Sequence, residues 1–381
     1  MKIDIKIKDE ISEKLEKEIK SKDDTNSLRI QRLLDYPDLS RKENSPIKLI
    51  VDKILAMQRF KDFDIIEIPE IVSVRNNFDL LNTPKDHVSR KETDTYYLNN
   101  EYILRTQTTV MWPFYLEYPE IVKKLEKGEI LKCLSYGKAF RKDEIDRSHF
   151  PIFHQIDGLL ICKRKEKDMG IKDLSDVLVD IAKNIYGEDV EYKISEDTFP
   201  FTDPSIEVEI KQGDSWIEIL GAGMVHKEVL SKFDLDPEVY NGWAFGFGLE
   251  RLAMAKMNIP DIRIFWSEDK RITSQFKNLN TKYEEISKFP MTYRDISFIV
   301  TKDTNLNNYY EIVRDYAENL IEEVSLLDKY ENDEKLGKDK ISYTFRIVYR
   351  SFERTLTNEE INKIQEKIRQ KTEKDLKAVL R

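Results

Sequence analysis

Several stretches of this chain alternate apolar and charged residues, and this alternation limits the folds that the chain can adopt. In SIEVEIK, the side chains of Ile206, Val208 and Ile210 lie on one side of an extended backbone, while Glu207 and Glu209 lie on the other. WIEIL, from residue 216, alternates in the same way, and further strand-like segments begin at residues 63, 102 and 131: FDIIEIPEIV, YILRT and LKCLSYGKAFR. Long strand runs with few helices between them predict an α+β fold with an antiparallel sheet. A doubly wound parallel sheet fits less well.

The main body is predicted to begin at Ser45, an N-cap residue followed by proline at the first helical position. Further helices are predicted at about 171–186 and 248–258. Before Ser45 the chain is a charged leader with a thin helical stripe, Ile11, Leu15 and Ile19, and a solvated helix or arm is the prediction for it. The predicted divisions are an arm at 1–44, a body at 45–266, a polar linker at 267–287 and a smaller domain at 288–381.

The smaller domain has the pattern strand, helix, strand, strand, helix. Apolar Tyr343, Phe345 and Ile347 alternate with polar positions, as in a half-buried strand. Thr357 and Glu360 then form a capping box ahead of a helix. This order predicts a ferredoxin-like domain.

Composition excludes several classes of protein. The 381 residues are 40% hydrophobic and carry a net charge of -9, which indicates a folded protein without general affinity for nucleic acid. No apolar run approaches the ~20 residues of a membrane span. Two cysteines and four scattered histidines give neither a disulfide framework nor a metal cage, so any metal is expected to arrive on a phosphate, as magnesium does.

Residues 140–158, FRKDEIDRSHFPIFHQIDG, combine cations, acids and aromatic rings between strand-like segments. Arg141 can bind a phosphate through two N–H groups, and Phe153 can stack on a purine. A surface hairpin with solvated charges is the alternative interpretation.

Two further segments can line a pocket. Phe199 and Phe201 flank a proline and point to the same side of an extended backbone, so they can hold an aromatic ligand, although such pairs are more often core. Gly221 and Gly223 allow a ligand to approach the backbone closely, or they mark a tight turn.

In GFGLER, glycines precede Glu250 and Arg251 at a strand-to-helix junction. This arrangement suits the terminal phosphate of a nucleotide, and it is not a dinucleotide fingerprint.

In this order the segments resemble the three motifs of class II aminoacyl-tRNA synthetases: IPEI around Pro69, FRKD at 140–143 and GFGLER at 246–251. Finer matches point to the phenylalanyl family, among them LRTQTT, DEIDRSHFPIFHQIDG, FPFTDPS, GAGMVH and IPDIRIFW. KFPMTYRDISFIV and YTFRIVYRSFERTLTNEEI resemble that family's ferredoxin-like anticodon-binding domain. The resemblance covers about 45–381.

The resemblance implies an enzyme that uses ATP and Mg²⁺ to make phenylalanyl-adenylate and transfers the acyl group to the 2′-hydroxyl of the terminal adenosine of its tRNA. The implied catalytic residues are Arg141, His149 and Arg251. The implied ATP-binding set is these three with Asp143, Phe153 and Glu250. The implied phenylalanine-binding set is Gln107, Thr109, Gln155, Asp157, Phe199, Phe201, Gly221, Gly223 and Ala244. The implied tRNA contacts are Arg346, Arg350 and Arg354.

The chain departs from the family at two positions of the phenylalanine-binding set. Gln107 and Thr109 stand where the family usually has histidine and serine. Because an amide still donates and accepts hydrogen bonds, retuned affinity is expected and not lost activity.

A ferredoxin-like domain fused behind the catalytic domain resembles the monomeric organellar enzymes and predicts a monomer without editing. The alternatives are a catalytic subunit that needs a partner chain and a non-catalytic tRNA-binding relative. The acid-rich N-terminus lacks features of a presequence, so a bacterial cytoplasm is predicted, with a mitochondrion or plastid as the alternative.

Overall fold

The computed structural model describes residues 2–285 and 289–381. They form two compact units, each assembled from three stretches of the chain. Unit 1 is Met1–Arg141, Ile152–Ile259 and Phe276–Lys282, and unit 2 is Lys142–Pro151, Pro260–Gln275 and Tyr283–Arg381. The domain boundary predicted between 287 and 288 lies outside the described residues.

Unit 1 is built on an eight-stranded sheet with the order β1-β2-β5-β6-β10-β9-β8-β7. Its strands are β1 (Asp4–Lys6), β2 (Asp64–Glu67), β5 (Leu131–Phe140), β6 (Ile152–Lys163), β7 (Tyr192–Phe199), β8 (Thr202–Gln212), β9 (Ser215–Val225) and β10 (Tyr240–Gly248). All neighbours from β5 to β7 are antiparallel, while β1, β2 and β5 run parallel. A separate hairpin pairs β3 (Ile71–Ser73) with β4 (Tyr102–Leu104). The predicted α+β class with an antiparallel sheet is confirmed.

The helices of unit 1 are α1 (Glu10–Lys20), α2 (Thr25–Asp35), α3 (Pro46–Leu55), α4 (Met111–Leu116), α5 (Pro119–Glu126), α6 (Ile171–Tyr186), α7 (Lys227–Lys232) and α8 (Leu249–Met257). The hydroxyl of Ser45 accepts the N–H of Ile47 at 3.2 Å, so α3 starts where the N-cap signal predicts. Helices α3, α6 and α8 bury apolar faces, and each packs against another of the three or against the large sheet.

The N-terminal segment contains a helix, α1, over the predicted stripe, but the segment is packed against the body and is not solvated as we predicted. β1 pairs with β2 in parallel, and the side chains of Ile5, Ile19 and Ile30 are buried. Only Ile11 of the helical stripe remains largely exposed. The reason is tertiary, since the unpaired edge of β2 offers hydrogen-bonding groups that no local pattern near residue 5 reveals.

Unit 2 contains a four-stranded sheet with the order β12-β13-β11-β14. Its elements are α9 (Lys270–Thr273), β11 (Thr292–Thr301), α10 (Asn307–Ala317), β12 (Ile321–Tyr330), α11 (Asp333–Leu336), β13 (Lys340–Tyr349), α12 (Asn358–Leu376) and β14 (Val379–Leu380). Thr357 accepts the N–H of Glu360, so the predicted cap of α12 is in place. This is the predicted ferredoxin-like arrangement.

The described part of the predicted linker (267–287), residues 267–285, is more ordered than its polar composition suggests. Within it lies the short helix α9, and the side chains of Ile272, Phe276 and Leu279 are buried. These three residues stand at i, i+4 and i+7, which is a helical spacing, but the residues between them are polar, which favours the interpretation of the stretch as a linker. In the part of the chain that the structure describes, no helix is long and apolar enough to cross a membrane.

Candidate active site

The candidate site lies on one face of the large sheet of unit 1. Side chains alternate along β6, so Phe153, Gln155 and Asp157 share one face while His154 and Ile156 share the other. Asp157 lies opposite Gly246 of β10, and Gly246 lies opposite Gly221 of β9. Two adjacent strands therefore present backbone beside the Asp157 carboxylate.

The Asp157 carboxylate is the best-defined group on this face. It is buried, and its two oxygens accept the hydroxyl hydrogens of Thr108 and Thr109, each at 2.5 Å. Burial raises the pKa of this carboxyl to about 6, although the two hydroxyl donors and the charges of Arg141 and Arg105 lower it. Thr109, which stands where the resemblance implied a serine, still supplies a hydroxyl group to this carboxylate.

Glycine at position 246 is required by this geometry. A β-carbon there would lie 2.7 and 2.8 Å from the two carboxylate oxygens of Asp157, closer than real β-carbons approach other atoms. At Gly248, two residues on, an added β-carbon would meet nothing within 4 Å.

A second group of side chains lies near the start of β6. The Arg141 guanidinium is 5.0 Å from the centre of the Phe153 ring, and its Nε donates to the carbonyl of Thr106 at 3.0 Å. The Thr108 N–H donates to the side-chain oxygen of Gln155 at 3.1 Å. The turn that follows β4 thus holds Arg141, Gln155 and Asp157 together. Gln107 begins this turn, and its side chain does not cap it.

Two phenylalanines stack at the β7–β8 hairpin. The rings of Phe199 and Phe201 are 6.0 Å apart at an interplanar angle of 9°, as expected for two side chains on one face. Trp112 packs against Phe201 in a T-shaped arrangement with a centroid distance of 5.8 Å. A β-carbon at Gly221 would lie 2.8 Å from the Phe199 ring. The absence of a side chain at Gly221 therefore leaves room for the Phe199 ring.

The glycine-rich row continues one pair further along the strands. Ala244 of β10 lies opposite Gly223 of β9 and Leu159 of β6. A β-carbon at Gly223 would lie 2.5 Å from that of Thr202. Because the residues at 223 and 244 are small, no large side chain rises from this part of the sheet face.

Motif GFGLER separates its two charged residues. Arg251 is about half exposed and pairs with Glu218 of β9 at 2.9 Å. The Glu250 carboxylate is buried and accepts hydrogen bonds from the backbone N–H and the Nδ1 of His154. We predicted that Glu250 contacts ATP, but the structure places its carboxylate inside the protein, because α8 turns this side chain toward the reverse face of β6.

Asp143 and His149 belong to unit 2 and not to the compact unit that contains Arg141 and Arg251. The Asp143 carbonyl accepts a hydrogen bond from Arg314, and Ile145 is part of the unit 2 core. His149 lies 2.8 Å from the Asp146 carboxylate. Burial raises the pKa of Asp146, but hydrogen bonds from His149 and Ser148 outweigh this and lower it. The structure therefore does not group these two residues with the rest of the predicted ATP set.

The three arginines predicted to contact tRNA all form ion pairs within unit 2. Arg346 binds Asp295 through two N–H groups at 2.8 Å, Arg350 pairs with the buried Glu322, and Arg354 pairs with Glu360. Their positive charges are thus partly balanced by neighbouring carboxylates.

The chain matches two protein families along almost its whole length. Residues 31–276 match the class II core domain of tRNA synthetases, in its F type, and residues 287–381 match the ferredoxin-fold anticodon-binding domain. The chloroplastic/mitochondrial phenylalanine–tRNA ligase of Arabidopsis thaliana is 38% identical over 90% of this chain and 80% of its own length.

The chain belongs to the phenylalanine–tRNA ligase family.

Other members of the family show the same relationship. The mitochondrial phenylalanine–tRNA ligase of Saccharomyces cerevisiae is 30% identical over 90% of this chain and 89% of its own length. The alpha subunit of the enzyme from Alkaliphilus oremlandii is 40% identical but covers 61% of this chain. As a class II aminoacyl-tRNA synthetase, the phenylalanine–tRNA ligase uses ATP.

Sequence reasoning missed two residues that contact the candidate site residues. Thr108 donates to Asp157, but nothing in the run TQTT tells which of its hydroxyls faces β6. His154 lies on the reverse face, and here a signal exists. If Phe153, Gln155 and Asp157 face the substrate, strand alternation places His154 on the opposite side.

Proposed function

We propose that this chain, as a single polypeptide, activates phenylalanine with ATP and transfers it to the 2′-hydroxyl of the terminal adenosine of its tRNA. The observation that supports this most is the spacing along β6. Phe153 and Asp157 lie on one face, four residues or ~13 Å apart. That distance suits an adenylate whose purine stacks at one end and whose amino group binds at the other.

In this proposal the Asp157 carboxylate binds the α-ammonium group of phenylalanine. Thr108 and Thr109 hold its oxygens in place, so few rotamers must be frozen when the substrate arrives. Gln155 supplies a second polar contact. The stacked rings of Phe199 and Phe201 receive the phenyl ring, and Ala244 with Gly221 and Gly223 sets the depth of the pocket.

Arg141 binds the α-phosphate and Phe153 stacks on adenine in the proposed nucleotide site. The substrate carboxylate attacks the α-phosphorus in line, and pyrophosphate leaves. Such a step needs positioning and neutralisation of charge more than a general base. Arg251 would neutralise the outer phosphates by exchanging its partner Glu218 for them. His149 and Asp143 are proposed to assist from their loop.

Magnesium is proposed to bind mainly through the phosphates. Among the described residues, no three His, Cys, Asp or Glu side chains converge on a point where they could hold a metal. Glu218 lies beside Arg251, and burial together with Glu218 raises the pKa of Glu207. Two neighbouring carboxylates that repel each other are suitable ligands for a divalent cation. A magnesium ion bound there would partly neutralise the negative charge of the phosphates.

We further propose that tyrosine is activated to a measurable degree and is not removed. A mostly apolar pocket rejects an added hydroxyl only weakly, by about a hundredfold. The two matched domains, for the class II core and anticodon binding, together span nearly all of the chain.

A bacterial cytoplasm remains our prediction for the compartment, while several similar relatives have organellar names.

The test is ATP–pyrophosphate exchange with each amino acid in turn. Phenylalanine should support rapid exchange, tyrosine slow exchange above background, and the others none. Arg251→Ala should lower the phenylalanine rate by at least about a hundredfold. The matched control is Lys256→Ala, which removes a positive charge from the last turn of α8 and should leave the exchange rate unchanged. Exchange with no amino acid, or exchange that Arg251→Ala leaves intact, would contradict the proposal.

A further inference from the structure

One fully buried histidine of unit 1 connects the two nucleotide-binding elements from behind the sheet. His154 has no solvent exposure and lies on β6 between Phe153 and Gln155, with its ring on the opposite face. It contacts Glu250, which directly precedes Arg251 in the first turn of α8. None of the reaction steps above uses this histidine.

The hydrogen bonds of the His154 ring indicate which of its two nitrogens donates and which accepts. The N–H of Leu39 donates to Nε2 at 2.9 Å, so Nε2 carries a lone pair and no hydrogen. The ring hydrogen is therefore on Nδ1, which donates to Oε1 of Glu250 at 2.6 Å. The Asp38 carboxylate is 3.4 Å from Nε2 and accepts the backbone N–H of Ser40 at 2.9 Å. These contacts assign the His154 ring the tautomer that carries its hydrogen on Nδ1.

The Glu250 carboxylate depends on this histidine. It is 3% exposed, and both of its oxygens also accept the backbone N–H of His154, at 2.8 and 3.0 Å. Burying a carboxylate to this degree without hydrogen-bond donors is strongly unfavourable, so the Glu250 carboxylate stays where its donors are. Because Glu250 is the second residue of α8, its position sets the rotation of the first turn, from which Arg251 projects.

We infer that His154 is a positioning residue for ATP: its Nδ1–H holds the Glu250 carboxylate, which fixes the first turn of α8 and presents Arg251 to the outer phosphates. The same contact holds the Phe153 end of β6 to α8, so the adenine and phosphate ends of the nucleotide site keep their spacing. This inference rests on the proposed role of Arg251. Asp157 is held separately by Thr108 and Thr109, so phenylalanine binding should respond much less.

Two substitutions separate the two ring nitrogens. In His154→Asn the side-chain amide can occupy the place of Nδ1 and still donate to Glu250, but the acceptor for Leu39 is lost. In His154→Gln the amide oxygen can occupy the place of Nε2 and still accept from Leu39, but the donor to Glu250 is lost. The two variants differ by one methylene group, and comparing them shows whether ATP binding depends on the hydrogen bond to Glu250 or on the one from Leu39.

The measurements are the KM for ATP and for phenylalanine in pyrophosphate exchange, and the Kd of Mg-ATP by calorimetry without amino acid. His154→Gln should raise the KM and Kd for ATP by about tenfold, whereas the KM for phenylalanine changes less than about twofold. His154→Asn should stay within about threefold of wild type for all three. Equal ATP affinity in the two variants, or weaker ATP binding by His154→Asn, would overturn the inference.

Thermal melting of each variant establishes that it is folded. If His154→Gln does not fold, Glu250→Gln serves instead, since it keeps the size of the side chain and removes the charge that holds the Nδ1–H. It should weaken ATP binding severalfold, and unchanged ATP affinity would overturn the inference. A wild-type chain that binds Mg-ATP but gives no phenylalanine-dependent exchange would contradict the proposed function and not this inference.

Discussion

At the scale of single residues, the site depends on a carboxylate in an unfavourable place. In the proposed site Asp157 has to be charged to bind the ammonium group of phenylalanine, yet its burial raises its pKa to about 6. Thr108 and Thr109 offset part of that cost by donating to its oxygens. A carboxylate fixed this way gains most when an ammonium group arrives, because the new partner restores the lost solvation.

The pH dependence of catalysis should report this pKa. The kcat/KM for phenylalanine at saturating Mg-ATP should be constant above pH 7 and fall by about tenfold per pH unit below about 6, where Asp157 is protonated. Asp157→Asn should have low kcat/KM and no inflection near pH 6. A wild-type profile that is flat between pH 7 and 5 would show that Asp157 does not bind the ammonium group.

Stability should change in the opposite direction from activity. The folded pKa of Asp157, about 6, lies above the unfolded value of about 3.9, so the folded state holds the proton more tightly. This contribution to stability is complete below about pH 3.9 and is lost as pH rises through 6, an effect of about 2–3 kcal/mol. Asp157→Asn should therefore raise the melting temperature at pH 7.5, and by less at pH 4.5.

Gly246 and Gly248 offer a matched pair of substitutions in one motif. Gly246→Ala places a methyl group against the Asp157 carboxylate and should raise the KM for phenylalanine by at least about tenfold, because the ammonium anchor must shift. Gly248→Ala meets open space in the free protein and should change that KM by less than about threefold. Pyrophosphate exchange at varied phenylalanine measures both, and equal effects would refute the steric explanation.

At the scale of elements, the N-terminal strand has a structural role that its sequence hides. β1 extends the large sheet at β2, and Ile5 is buried in the core of unit 1. Pairing of this kind covers a sheet edge that would otherwise be open to other chains.

Substitutions on either side of Asp9 should separate the strand from the exposed helix surface. Ile5→Ala should lower the melting temperature by about 3–6 °C, because it removes buried apolar volume. Ile11→Ala, at a position about half exposed, should leave it within about 1 °C. Thermal melting followed by circular dichroism decides, and the same small shift for both would mean that β1 contributes little.

At the scale of the whole molecule, the prediction is that one chain suffices. Purified protein should elute as a single species near 45.2 kDa by light scattering and should charge its tRNA without another subunit. Similarity to an alpha subunit is the reason to test this directly. A dimer, or charging that appears only after a second chain is added, would favour the subunit alternative.

The sequence by itself determined the fold class, the ferredoxin-like domain and most of the residues around Asp157. Strand alternation is a local property, so it placed Phe153, Gln155 and Asp157 on one face without further information. The cap of α12 was equally readable, since the hydrogen bond of Thr357 spans only three residues.

Only the tertiary structure decided which partners distant residues meet. Thr108 reaches Asp157, Glu250 turns inward to His154, and residues near position 5 join β2, all through contacts between segments far apart in the chain. The same applies to Asp143 and His149, which unit 2 holds although they follow Arg141 closely in the sequence. Local patterns determine the direction in which a side chain points. Which residues it contacts depends on how segments far apart in the sequence pack together.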